Sequence, residues 1–404
     1  MHDPNEPITL AERVHVLAKV YQSIPLYFAH WEDSSIAKGA LDAAFQELVE
    51  AALAAEGRVC FSLLMTAFLA RLNNGHTLFR DPRLHGRPPL GVLLRPVEGL
   101  WTVAASGVAG VTAGDVVRAI EDKPMEALRE DLWRYTAGSP QSRSVQFVDT
   151  LRWFLPDSYM IHLEDEGGAE RSVSVNRAAL DDAGPPAGVE GRWLEPGLAY
   201  IKVPGFGKPE FEQQALAHVQ AFRDASCLIM DLRGNPGGST PGDLTRALMD
   251  RPYRWWVENS PLHVGLLAYQ AQRGLSGRLF DNSSLLWRFP ATEPDAAAYG
   301  GRLIILVDRA TLSAAEDLTM PFKDNGRAVL VGETTGGSTG QPYMHTFENG
   351  MLFIIGTKRA TMPDGTPFEG VGIPPDIPVE VRRSDLYARV DTVLERAVAV
   401  AREG

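Results

Sequence analysis

Apolar residues recur every three or four positions at Val14, Leu17, Val20 and Ile24, a spacing that predicts an amphipathic helix near the start of the chain. Thr9 with Glu12 forms a capping box at its head. Two further helical runs follow, about Ser35 to Ala55 and Phe61 to Leu72. The pattern breaks at DPRLHGRPPLG, residues 81–91, where proline and glycine mark a boundary. Short alternating runs come next: LGVLLRPV, LWTVAAS, DVVRAIED, YMIHLED and RSVSVNR, separated by turn signals such as SGVAG and DEGG. They predict a small β-rich module over about 90–178 with a helical stretch near 125–153, and AGPPAG at 183–188 reads as a linker. From about 190 the runs become compact and rich in Ile, Val and Leu: LAYIKV, CLIMDL, RLIILVD and AVLVGE. Helical segments lie between several of them, as in a parallel or mixed sheet buried on both faces. Leu386, Val390, Val393, Leu394 and Ala397 space a closing helix over Ser384 to Arg402.

Composition narrows the class. The chain has 404 residues, 45% hydrophobic and 22% charged, which excludes a disordered or fibrous protein and allows a sizeable core. Its net charge of −12 argues against non-specific nucleic-acid binding, which depends on basic residues. The two cysteines, Cys60 and Cys227, lie in apolar contexts and are expected to be buried. Neither they nor the histidines have zinc-ligand spacing, so no metal or cofactor is expected. The longest apolar stretch, Cys60 to Ala70, is too short to span a bilayer, and the polar N-terminus lacks a secretory profile. A soluble, cytoplasmic protein is the expectation.

Four segments could carry chemistry. In LIMDLRGNPGGST, residues 228–240, a buried strand opens into a glycine loop whose amides suit an oxyanion; the plain alternative is a tight turn. It lacks the Gly-Lys-Ser/Thr ending of a phosphate loop. In RLIILVDRATLSAAEDL, residues 302–318, Ser313 stands where a strand turns into a helix. Ser313-Ala314-Ala315-Glu316 reads as a capping box, yet a hydroxyl at a helix N-terminus also sits where negative charge is stabilised. His76 lies in the turn Asn74-Gly75-His76-Thr77. Glu369 follows the turn Pro363-Asp364-Gly365 and precedes Gly370-Val371-Gly372-Ile373-Pro374-Pro375-Asp376. Such loop acids are ordinarily just solvated.

Taken in order, the turn histidine, Asp-Leu-Arg-x-Asn-Pro-Gly-Gly, Ser-Ala-Ala-Glu, Gly-Glu-x-Thr-Gly-Gly and Glu-Gly-Val-Gly-Ile-Pro-Pro-Asp closely resemble the carboxyl-terminal processing (tail-specific) serine protease superfamily. The resemblance covers most of the chain and is nearer to the branch of the tricorn core and the interphotoreceptor retinoid-binding modules. It implies an α/β (α+β) protein: an N-terminal helical region (1–85), an inserted PDZ-like β-rich domain (88–180) and a ClpP/crotonase-like α/β catalytic core (190–404). It implies a serine endopeptidase acting on peptide or unfolded protein tails, with a homo-oligomer left open. Residue by residue, Ser313 matches the nucleophile, His76 the general base and Glu369 the orienting acid. Ala314 and either Gly237 or Gly238 match the oxyanion donors.

Two departures stand out. Ser338, 25 residues after Ser313, holds the place of the lysine in the Ser–Lys branch, and the next lysine is Lys358. The tricorn core has a serine just before its histidine, whereas this chain has Gly75. Any hydroxyl linking His76 to Glu369 must come from elsewhere, with Thr77 as the candidate. Both departures also fit a second reading, a catalytically decayed module that binds a peptide or an apolar ligand.

Overall fold

The computed structural model describes residues 7–177, 188–261 and 284–403. Its centre is a six-stranded sheet in the order Ile377–Pro378, Ala328–Gly332, Arg302–Val307, Cys227–Asp231, Leu198–Lys202, Glu190–Glu195. The strands are parallel except Glu190–Glu195, which is antiparallel at one edge. Ile229 pairs with Ile304 and Tyr200 across the middle. The strand Cys227–Asp231 is buried throughout, which is why its sequence shows no alternation. One face of the sheet packs Ile201, Met230 and Ile305 against Leu318 and Phe322 of the helix Ala314–Asp324. The other packs Ile229, Ile304 and Val331 against Val393, Ala397 and Val400.

The N-terminal helices run Leu10–Tyr27, Leu41–Leu53 and Gly57–Ala70. The first carries the expected capping box between Thr9 and Glu12. After the third helix the chain turns at residues 73–77 and enters the strand Leu78–Arg80, which pairs with Leu352–Ile355. Phe79 and Phe353 thereby join the core of the N-terminal helices. This pairing fixes the turn bearing His76 against the C-terminal half of the chain.

The β-rich module is an antiparallel sheet, Val92–Val97, Leu100–Ser106, Val116–Ile120, Ser158–Glu164 and Glu170–Asn176. Its core is closed by Phe147 and Leu151 of the helix Pro140–Phe154. The helical stretch within it is two helices, Met125–Leu132 and Pro140–Phe154, the second restarted by Ser139 as N-cap and Pro140 at its first position.

Three expectations need correction or limitation. Cys60 is exposed, because it lies on the outward face of its helix while Arg58, Phe61 and Ser62 turn inward; Cys227 is buried in the central sheet. The closing helix is two helices, Arg383–Ala388 and Thr392–Arg402, because Arg389 adopts a left-handed conformation and Asp391 caps the second. The linker at 183–188, apart from Gly188, lies outside the described residues.

Candidate active site

Three loops converge on Ser313. The strand Arg302–Val307 ends at Asp308, whose carboxylate accepts the Gly234 and Ala310 amides. The Leu312 N–H donates to Asn235 O, tying the glycine loop to the serine turn. Ser313 itself has φ 54° and ψ −120°, a conformation an L-residue adopts only when its surroundings hold it. They do: its N–H is shared between Ser338 O at 3.1 Å and Glu316 Oε2 at 3.0 Å. Glu316 thus makes its half of the capping box. The Ser313 hydroxyl turns elsewhere, to His76 Nε2 at 3.0 Å, and the Glu316 N–H donates to the Ser313 carbonyl instead. Oγ thus points to the imidazole rather than to the free amides of its own helix.

His76 Nδ1 lies 2.7 Å from Ser338 Oγ, and the Ser338 side chain lies close enough to the Glu369 carboxyl group to favour its anion, while the next amide, Thr339 N–H, donates to Glu369 Oε1. The structure therefore brings together Ser313, His76, Ser338 and Glu369 in a single line. Thr77, the candidate for that link, bonds elsewhere: its hydroxyl donates to Asn74 Oδ1 and accepts from Gly356 N. The strand starting at Leu78 turns Thr77 toward residue 356, away from the imidazole. Lys358 is likewise outside the line, paired with Glu258 at 2.7 Å.

The two glycines separate. The Gly237 N–H donates to Asn235 Oδ1 at 2.9 Å. The Gly238 and Ala314 N–H groups have no acceptor among the described residues. Gly237 is needed for close approach: a Cβ there would lie 2.7 Å from Ser313 Cβ and 2.9 Å from Ala314 N. Of the pair, Gly238 is the one with a free amide.

Burial sets the electrostatics. It pushes His76 down to about 4, so the ring is neutral near pH 7 and can accept a proton. It raises Glu369 well above the carboxylate range, against the Thr339 N–H and Ser338 hydrogen bonds that favour the anion. It pushes Glu316 up to about 8, opposed by four donors: Thr335 Oγ1, Gly337 N, Ser338 N and Ser313 N. Asn74 bridges the loops, accepting the His76 N–H and donating to Glu369 Oε2 at 3.5 Å. The β-rich module also reaches the site: Ser139 Oγ donates to Gly336 O, and Gln141 Nε2 to Val371 O. No group of His, Cys, Asp and Glu among the described residues could hold a metal ion.

A hydroxyl at hydrogen-bond distance from an imidazole, with the far nitrogen held by a hydroxyl–carboxyl pair, is the arrangement of the activated-serine hydrolases. The comparisons with known proteins fall in the same class. Residues 197–379 match the model of peptidase family S41, a span that includes Ser313 and Glu369 but not His76. The chain is 23% identical over 291 residues to carboxyl-terminal-processing peptidase 2 of Arabidopsis thaliana, covering 70% of this chain and 50% of that protein. It is 29% identical over 210 residues to the carboxyl-terminal-processing protease of Synechocystis, covering 52% and 42%. The chain thus spans about half the length of these relatives. Among solved structures, mature CPAF superposes with a TM-score of 0.72 at 14% identity, covering 96% of each chain. The photosystem II D1 C-terminal processing protease does so at 0.52 and 18%, covering 92% and 94%. These similarities establish the mixed α/β fold. The resemblance carried by the motifs stands.

Proposed function

We propose that this chain is a serine peptidase that cleaves peptides or protein tails through an acyl-enzyme. Ser313 is the nucleophile, His76 the base and Glu369 the acid that orients it. The observation that carries the reading is the 3.0 Å approach of His76 Nε2 to Ser313 Oγ, made across 237 residues of sequence. His76 takes the hydroxyl proton as Oγ adds to the scissile carbonyl. The oxyanion so formed lies between the Ala314 and Gly238 amides, and each such donor contributes about 10²–10³ in rate. The protonated imidazole then gives its proton to the departing amine, the acyl-enzyme remains on Ser313, and water activated by the same base releases it.

The substrate enters as an extended strand. In the β-rich module the strand Val92–Val97 is an edge of its sheet and lies beside the helix Pro140–Phe154. An edge strand beside a helix is the geometry that receives a peptide by strand addition. A cleft of about 300 Å³ lined by Leu93, Leu94, Val145 and Val148 lies there, lined also by Gly234 and Arg309 of the core. Hydrolysis of an unstructured protein tail by wild type and by Ser313→Ala tests the reading. Activity in the wild type alone supports it; equal turnover by the variant refutes it.

A further inference from the structure

We propose that Ser338 is the positioning residue that couples His76 to Glu369, and that Gly75 is kept small to admit it. The proposal rests on the peptidase reading of Ser313 and His76. For His76 to act on Ser313, its proton must sit on Nδ1 and its lone pair on Nε2. Ser338 Oγ lies 2.7 Å from Nδ1, and its loop is held on Glu369 by the adjacent Thr339 N–H, which donates to Glu369 Oε1 at 3.3 Å; the Ser338 hydroxyl itself favours the Glu369 anion. It accepts the Nδ1 proton and directs its own toward a Glu369 carboxyl oxygen, which can accept whether or not the other oxygen carries a proton. That order of donors fixes the tautomer and ties the ring to a carboxyl group that it does not itself touch. No proton leaves the line.

The hydroxyl is rigidly held. The Ser338 N–H donates to Glu316 Oε2 and the Ser338 carbonyl accepts from the Ser313 N–H, so the nucleophile and the link share one strut. Neighbouring Thr339 fixes the same loop twice, with its N–H on Glu369 Oε1 and its hydroxyl on Asp317 Oδ1.

Gly75 supplies independent support. It does not adopt a positive φ, so its backbone does not demand glycine. What excludes a side chain there is Ser338: a Cβ on Gly75 would lie 2.8 Å from Ser338 Cβ and 3.0 Å from Ser338 Oγ. The next atom, Ser142 Oγ, is 3.9 Å away. A side chain at 75 would therefore crowd a serine at 338, since its Cβ alone would press on both side-chain atoms of Ser338. The two departures from the motif pattern, Gly75 before the histidine and Ser338 in the lysine position, are one exchange. They mark a relocated link rather than a decayed site.

The test compares wild type, Ser338→Ala, Ser338→Gly and the double exchange Gly75→Ser/Ser338→Gly, with folding checked by thermal midpoint. Peptide hydrolysis by the two single variants should lose about 10² in kcat, within the range for a mispositioned base, while KM changes by less than about threefold. The double exchange should regain about tenfold over Ser338→Gly, because the hydroxyl returns from the other side. Nitrogen-15 NMR of the imidazole should show the proton on Nδ1 of His76 in wild type and a mixed population in Ser338→Ala. A Ser338→Ala enzyme with unchanged kcat and an unchanged tautomer overturns the proposal, as does a folded double exchange no faster than Ser338→Gly. Labelling by a fluorophosphonate separates the two levels. If wild type is labelled at Ser313, and His76→Ala is not, while Ser338→Ala behaves as wild type, only this inference fails. If folded wild type is never labelled, the peptidase reading fails and takes the inference with it.

Discussion

Replacing Glu316 by glutamine changes one oxygen to an NH₂ group in a site where both oxygens accept. Oε1 receives Thr335 Oγ1 at 2.5 Å and Gly337 N at 2.7 Å; Oε2 receives Ser313 N at 3.0 Å and Ser338 N at 3.2 Å. A protonated carboxyl can still accept through both oxygens, so the argument holds for either charge state; an amide nitrogen cannot. If the amide nitrogen takes the Oε2 side, the Ser313 and Ser338 amides both lose their acceptor. If it takes the Oε1 side, Thr335 can rotate its hydroxyl, but the Gly337 amide meets another N–H donor. The second orientation is the cheaper and leaves one buried donor unmet, costing about 1–3 kcal/mol. That is a large part of a typical stability of about 5–15 kcal/mol. Displacement of Gly337 also shifts Ser338, so kcat should fall by about tenfold or more if the loop positions the base. Urea unfolding followed by fluorescence gives the first quantity and steady-state hydrolysis the second. A Glu316→Gln protein with wild-type midpoint and wild-type kcat would refute the reasoning, because the carboxyl group would then not be the strut between nucleophile and link.

Other outcomes follow from single contacts. Asp81 is buried and accepts from Arg58, Ser62 Oγ and the Arg83 amide; Asp81→Ala should destabilise by about 3–5 kcal/mol in chemical denaturation, because it removes the carboxylate that the buried Arg58 guanidinium grips through two nitrogens. His30 is 1% exposed and burial pushes it down to about 3 from an ordinary 6.5. The unfolded chain then binds protons that the folded one does not, so wild-type stability relative to His30→Gln should fall by about 1.4 kcal/mol per pH unit below about pH 6. A gap that is constant with pH contradicts the assignment. Gly237→Ala places a Cβ at φ 90° and within 2.7 Å of Leu312 O. It should cut kcat by about 10² or more, since nucleophile and oxyanion loop are forced apart; a variant hydrolysing at the wild-type rate would show that the close approach is not needed.

Legibility in the sequence followed the range of the interactions. The fully buried strands Cys227–Asp231 and Arg302–Val307 announce themselves as unbroken apolar runs, and Thr9 with Glu12 marks a helix start, because these signals are local. Ser313 is legible at a strand-to-helix turn for the same reason, whereas the direction of its hydroxyl depends on His76, 237 residues away. The break at Arg389 gave no signal: arginine is no usual left-handed residue, and the break is held by Asp391, which caps the next helix and pairs with Arg233. The strand Leu78–Arg80 was hidden because its partner is Leu352–Ile355. The link to Glu369 was the hardest to see. Thr77 is the nearest hydroxyl in sequence, whereas Ser338 is the nearest in space, 262 residues further on. The signal that could have found it was the pair of anomalies, a glycine before the histidine and a serine in place of a lysine, read together rather than separately.

The most direct test of the account is covalent labelling with a fluorophosphonate, read by peptide mass mapping on wild type, Ser313→Ala and His76→Ala. The account predicts one adduct, on Ser313, absent from the first variant and strongly slowed in the second. A folded wild-type protein that takes no label, or that is labelled at Ser313 equally well without His76, would contradict it.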